Sequence, residues 1–300
     1  MHEQLFDSIK SGDTKSLARA ISLIENEQTG YEDLLRALSR DSFGQIIGIT
    51  GPPGAGKSTI VDGMIEQLIK KEKRVAVLCV DPSSPFKLGA ILGDRIRMSD
   101  WYTHPNVFIR SLATRGSVGG LCPKMIEITD LMQSAGFDKI IIETVGVGQS
   151  EIEIAGLADA TVVVVVPESG DEVQTMKAGL MEIADVFVIN KSDRPDSDLF
   201  EKHLRLMLAP AFHNRSKEIP VVKTIATERK GIPELMKAIK SNSDEGRSEQ
   251  KHLELLTEKA WQLLIQKKMK SVNKAQLKRK IEEALGNEDF NLYSFIERYK

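Results

Sequence analysis

From Gln45 onward the chain alternates between two rhythms. QIIGIT, RVAVLCV, NVFIR, DKIIIE, ATVVVVV, DVFVIN and PVVKTI are short runs rich in β-branched residues. Between them the apolar positions recur at helical spacing, as in Ile60, Val61, Met64, Ile65, Leu68 and Ile69 within Lys57–Lys71. Strands that stay apolar without a polar alternation are buried on both faces, so the pattern predicts a mostly parallel α/β sheet. Residues 1–42 read as short helices. Asp13 is placed to cap one of them, with Leu17, Ala20, Ile21 and Ile24 on one face and Leu34, Leu35 and Leu38 continuing the pattern. SNSDEGRSEQ, residues 241–250, has no apolar residue and reads as a linker. HLELLTEKAWQLLIQKKMK, KAQLKRKIEEAL and FNLYSFIERY then predict a helical tail. The expected organisation is a helical extension over 1–42, an α/β domain over 43–243 and a helical arm over 251–300.

Composition removes several classes. With 41 Lys and Arg against 43 Asp and Glu the formal net charge is −2, so no nucleic-acid footprint is expected. The apolar run Val162–Val166 ends at Pro167, far short of the roughly 20 residues of a membrane span, and no membrane association is expected. The polar, acidic N-terminus does not resemble a signal peptide. Two cysteines, Cys79 and Cys122, with no CxxC exclude a disulfide framework and a zinc ribbon. A reducing cytoplasm, or an organelle matrix, fits best.

The first chemical motif follows QIIGIT. Gly51, Pro52, Pro53, Gly54, Ala55, Gly56, Lys57, Ser58 and Thr59 fit the phosphate-binding pattern GxxxxGK[ST], between a strand and a helix as the motif requires. The glycines let backbone N–H groups converge on a phosphate, and the helix adds its positive end. Lys57 neutralises β- and γ-phosphate charge, and the Ser58 hydroxyl is placed to ligand Mg²⁺.

The second motif names the base. NKSD, with Asn190, Lys191 and Asp193, follows DVFVIN and matches the NKxD guanine-recognition pattern. The Asp193 carboxylate accepts from the ring N–H and the exocyclic amine of guanine. Adenine has no such donor pair and would leave a buried carboxylate unpaired. The Lys191 stem can lie over the base, and Asn190 can tie the loop to its neighbours. TIATERKGI suits a loop completing the pocket, with Ala226 near the base; a plain strand-to-helix turn is the competing reading. GTP and GDP are the expected ligands.

Three carboxylates complete the set. Glu143 ends DKIIIE and precedes Gly146, in the place of a DxxG motif. Asp81 ends VLCVD, and Asp94 lies in ILGDRIRM. Acids beside a triphosphate require a cation, here Mg²⁺ held by Ser58, Asp81, Asp94 and Glu143.

GPPGAGKST, VDPSSPF, ILGDRIRM, TRGSVGGL, ETVGVGQSE, ESGDEVQTMKAGLMEIAD and NKSD stand in the order found in the MeaB/ArgK family, which the chain resembles closely over residues 45–240. These are P-loop GTPases, with the methylmalonic aciduria type A protein as the human relative. The resemblance implies a doubly wound G-domain with helical N- and C-terminal extensions. It implies a chaperone whose GTP binding and hydrolysis gate loading, protection and reactivation of an adenosylcobalamin-dependent acyl-CoA mutase, chiefly methylmalonyl-CoA mutase. Adenosylcobalamin enters only through that partner. It also implies a homodimer built by the C-terminal arm. Asp81, Asp94 and Glu143 fall at the family's magnesium and hydrolysis positions, and Lys57, Asp94 and Glu143 are the expected catalytic residues. Asp171, Gln174 and Lys177 fall in its extra switch, and their helical spacing sets them on one face. Older usage calls some members transport-system kinases for arginine-type amino acids.

One departure from small GTPases stands out. The residue after Gly146 is Val147, where a Gln would orient the attacking water, and Gln149 lies two further on. Intrinsic hydrolysis is therefore expected to be slow and stimulated by the mutase. Competing classes fare worse. A P-loop kinase needs an adenine site and an acceptor pocket. A nickel-insertion GTPase needs clustered soft ligands, whereas His2, His104, His203, His213 and His252 are scattered.

Overall fold

The structure, a computed structural model, describes residues 2–38, 44–81, 98–113, 122, 124–144, 150–167, 178–208, 218–242, 245–269, 274–285 and 290–298. The chain forms two compact units, residues 1–251 and 252–300.

Among the described residues the first unit has seven strands: β1 (Gln45–Thr50), β2 (Val75–Asp81), β3 (Val107–Ala113), β4 (Lys139–Glu143), β5 (Ala160–Val165), β6 (Val186–Ile189) and β7 (Val221–Lys223). Their order is β3-β2-β4-β1-β5-β6-β7, and every neighbouring pair is parallel. From β1 the chain moves outward through β2 and β3. It returns to β4 beside β1, then winds the other way through β5, β6 and β7. This is the doubly wound α/β architecture the sequence predicts.

Burial explains the unbroken valine run. Val162 and Val164 join the core on one face with Ile60, Val61, Met64 and Ile65 of α4 (Lys57–Ile69). Val163 and Val165 join the core on the other face. All four are buried to at least 97%, and each contributes about 1.5–3 kcal/mol. β7 is shorter than PVVKTI suggests and half-buried throughout, as suits a sheet edge.

The opposite ends of the strands are pinned by aspartates. Asp138, Asp159 and Asp185 stand just before β4, β5 and β6. Each accepts a backbone N–H at or beside the start of a neighbouring strand: Arg74 at 2.8 Å, Ile46 at 2.7 Å and Thr161 at 2.9 Å. These bonds satisfy the first donors of the ladder and fix register.

Helices α1 (His2–Lys10), α2 (Thr14–Glu25) and α3 (Tyr31–Arg36) precede the sheet. Asp13 caps α2, accepting from Lys15 N and Ser16 N, and Leu17, Ala20, Ile21 and Ile24 are buried. Two ion pairs hold this layer to the sheet side: Arg110 to Glu25 at 3.1 Å and Lys124 to Glu27 at 2.8 Å. The other helices of this region are α5 (Met125–Ser134), α6 (Ser150–Leu157), α7 (Ala178–Ile183), α8 (Ser197–Leu208) and α9 (Ile232–Asn242).

The tail comprises α10 (Glu245–Met269), α11 (Lys274–Leu285) and α12 (Leu292–Arg298). Here the linker reading is corrected: α10 already runs through 245–250. Polarity without proline does not break a helix, and Glu, Arg and Gln are strong helix formers. No helix among the described residues is long and apolar enough to cross a membrane.

Candidate nucleotide site

The site lies beyond the carboxyl ends of β1, β4 and β6, where ligands of open α/β sheets bind. β1 ends at Thr50, and the loop from Gly51 to Gly56 leads into α4. Two glycines are forced. Gly51 has φ +134°, and a Cβ there would lie 2.0 Å from the Val164 carbonyl oxygen. Gly56 has φ +89°, and a Cβ there would lie 2.3 Å from Asn190 Nδ2. The loop is thus wedged between β5 and the NKSD turn, and any side chain at either position would push it out.

Lys57 is 7% exposed. Its Nζ donates to the carbonyls of Gly51 at 2.8 Å and Pro52 at 3.0 Å, so the ammonium spans the loop. Beside it, Ser58 Oγ donates to Glu143 Oε1 at 2.7 Å. A carboxylate only accepts, so the hydroxyl proton of Ser58 lies on this bond. Ser58 and Glu143 are 3% and 4% exposed. Thr144 Oγ1 donates to Thr50 Oγ1 at 2.8 Å, which locks the end of β4 to the end of β1. Parallel pairing sets Ile49 opposite Glu143, so the carboxylate arrives at the root of the phosphate loop.

Asn190 joins three segments. Its Nδ2 donates to the Ala55 carbonyl at 2.8 Å. Its Oδ1 accepts from Ala226 N at 3.1 Å and Thr224 Oγ1 at 3.0 Å. One buried carboxamide at the end of β6 therefore binds the phosphate loop, the end of β7 and the short 3₁₀ turn Ala226–Glu228. Replacing it by Ala would strand several buried polar groups. Asn190→Ala is expected to lose about 2–4 kcal/mol in urea unfolding, and loss of under 1 kcal/mol would contradict this geometry.

Lys191 takes φ +57°, an uncommon conformation for a residue with a side chain. It is held by Ser192 N to Thr224 O and Arg194 N to Lys191 O, both at 3.1 Å. Lys191 is half-buried, and Asp193 is exposed. Its expected burial is corrected: Asp193 lies beyond the strand end in this turn, on the solvent side.

The hard-oxygen pair Ser58 and Glu143 fits magnesium, with neither sulfur nor imidazole in the set. Asp81 ends β2, two residues beyond Cys79, which stands opposite Glu143; its side chain lies outside the described residues. Asp94, Gly146, Asp171, Gln174 and Lys177 also lie outside them. The sequence reading missed Arg229, whose guanidinium reaches Asp62 and Glu66 of α4. No motif marks it, since the bonds run across sequence separations of more than 160 residues.

Known proteins are similar to this chain in sequence and in fold. A protein of Pyrococcus abyssi named as a GTPase is 47% identical over 250 residues, covering 81% of this chain and 76% of its own. The mitochondrial methylmalonic aciduria type A homolog of Caenorhabditis elegans is 36% identical over 207 residues, covering 64% of this chain and 52% of its own. A crystal structure of an LAO/AO transport system kinase superposes with a TM-score of 0.70 at 26% identity, covering 99% of this chain and 95% of that one. The family model described as "Methylmalonyl Co-A mutase-associated GTPase MeaB" matches residues 17–279, and the chain belongs to that family of P-loop GTPases.

Proposed function

We propose that the protein is a GTP-hydrolysing chaperone of an adenosylcobalamin-dependent acyl-CoA mutase, such as methylmalonyl-CoA mutase. The observation that carries the nucleotide chemistry is the buried Ser58–Glu143 bond of 2.7 Å at the root of the phosphate loop. The mutase as client is supported by the family description and by the relative named for methylmalonic aciduria.

Gly51, Pro52, Gly54, Ala55, Gly56, Lys57 and Thr59 cradle the phosphates. Lys191, Asp193 and Ala226 hold the guanine, with Asn190 bracing them. Ser58 and Glu143, with Asp81 and Asp94, hold Mg²⁺, which supplies charge neutralisation at the β- and γ-phosphates. Lys57 brings a second positive charge to the same oxygens. Gly146 offers its backbone N–H to the terminal phosphate. Asp171, Gln174 and Lys177 form a switch that carries nucleotide state to the mutase. Adenosylcobalamin is met only through that enzyme.

Val147 in the water-orienting place accounts for slow turnover alone and stimulation by the partner. Homodimerisation through the arm is supported by its exposed Leu253, Trp261 and Leu264. A cytoplasmic protein is the matching expectation. The second reading, a kinase in amino-acid transport, is favoured by the name of the structural neighbour, an LAO/AO transport system kinase; it requires ATP as substrate.

Phosphate release decides between them. The purified chain is expected to hydrolyse GTP slowly, to ignore ATP, and to gain at least tenfold in rate when an adenosylcobalamin-dependent acyl-CoA mutase is added. An unchanged rate with every such mutase tried would remove the chaperone reading, and turnover of ATP would favour the kinase.

A further inference from the structure

The turn that carries Ala226 is fastened to the phosphate-binding helix by one side chain. Arg229 closes the turn with φ +61°, a left-handed conformation that persists in a non-glycine residue only where the surroundings impose it. Its own N–H bonds Ala226 O at 3.2 Å, and Ile225 N bonds Lys230 O at 3.1 Å. From there the guanidinium reaches α4 at three levels. Nη1 donates to the Thr59 carbonyl at 3.4 Å, Nη2 to Asp62 Oδ2, and Nε lies 3.1 Å from Glu66 Oε2. Residues 59, 62 and 66 share one helical face. The Lys70 ammonium, with Arg229 adding to it, holds the Glu66 carboxyl below the ordinary carboxylate range.

Asp62 is itself oriented. Its second oxygen accepts from Trp101 Nε1 at 2.6 Å, and its side chain is 17% exposed. Ile232, which starts α9, is fully buried in the core shared with α4. Gly63 lets this region approach: a Cβ there would lie 3.1 Å from Ile232 and 3.4 Å from Arg229 Nη1. Thr59 follows Lys57 and Ser58 directly. The planar fork of Arg229 therefore joins the base side of the site to the first turns of the helix that holds the phosphate side.

We propose that Arg229, through Asp62, is a positioning residue for guanine binding. It fixes the Ala226–Glu228 turn at the distance from the phosphate loop that one nucleotide must span. This rests on the guanine-nucleotide reading above. A ligand that occupies both halves needs that spacing; a ligand that occupies only the phosphate loop does not.

The test compares GDP with inorganic tripolyphosphate on the full chain, by calorimetry and by displacement of a fluorescent GDP. Arg229→Ala is expected to lose roughly tenfold in GDP affinity, with tripolyphosphate binding within twofold of the parent. Arg229→Lys, which keeps the charge but not the fork, is expected to recover only part of the loss. Asp62→Asn retains an acceptor for Trp101 and should fall between, which keeps the test alive if Arg229→Ala misfolds. Unchanged GDP affinity in both Arg229→Ala and Asp62→Asn overturns the proposal. So does an equal loss of GDP and tripolyphosphate, which marks general damage to α4. A parent chain that binds ADP as tightly as GDP instead refutes the guanine reading, and the positioning role falls with it.

Discussion

Asp193→Asn is expected to weaken GDP binding about 100-fold, two charge-assisted hydrogen bonds being exchanged for a mismatched amide. Guanine presents two parallel donors, its ring N–H and its exocyclic amine, and a carboxylate accepts both. The Asn carboxamide keeps one acceptor and turns a donor toward the amine. The exposure of Asp193 places the effect near the low end for lost charged bonds, because water reaches the carboxylate when the pocket is vacated. Xanthine carries a carbonyl where guanine carries the amine, so the variant should gain affinity for xanthosine diphosphate. Calorimetry with the two diphosphates measures the exchange. Retention of GDP affinity within threefold, with no gain for xanthosine diphosphate, would place guanine recognition elsewhere. Stability should barely move, since the side chain contributes nothing to the core.

The fold was legible where burial on both faces left an uninterrupted signal. QIIGIT coincides with β1. A strand covered on both sides cannot accommodate polar positions, and the sequence of β5 shows none after Thr161. Less was legible where polar residues act locally. The aspartates before β4, β5 and β6 look like turn residues in one dimension, and only the register shows that each caps a neighbouring strand. The stretch 241–250 looked unstructured because helix propensity without an apolar stripe leaves no periodic trace. Within the site, local motifs identified Lys57, Ser58 and Asn190, because a phosphate loop and a base-recognition turn are each contiguous. Arg229 and Asp62 were invisible for the opposite reason: their meeting depends on α4 and the 226–229 turn packing together.

Glu143→Gln should separate chemistry from folding. The amide oxygen of Gln can still accept from Ser58 Oγ, so the bond of 2.7 Å and its contribution to the strand ends survive. Thr144 to Thr50 is untouched, and the unfolding midpoint should stay within a few degrees of the parent. What disappears is a negative charge at a position 4% exposed, where surrounding water screens little. A neutral amide is a poorer partner for a divalent cation and cannot hold charge in place as the γ-phosphate leaves. Removal of one preorganised electrostatic group of this kind costs about 10²- to 10³-fold in turnover. That loss is expected in phosphate release at saturating GTP and magnesium, while GDP affinity measured without magnesium stays close to that of the parent. Turnover within threefold of the parent would remove Glu143 from the reaction and leave it as a brace between β4 and α4. A large fall in stability would show that the charge itself holds the strand ends together, contrary to the isosteric argument.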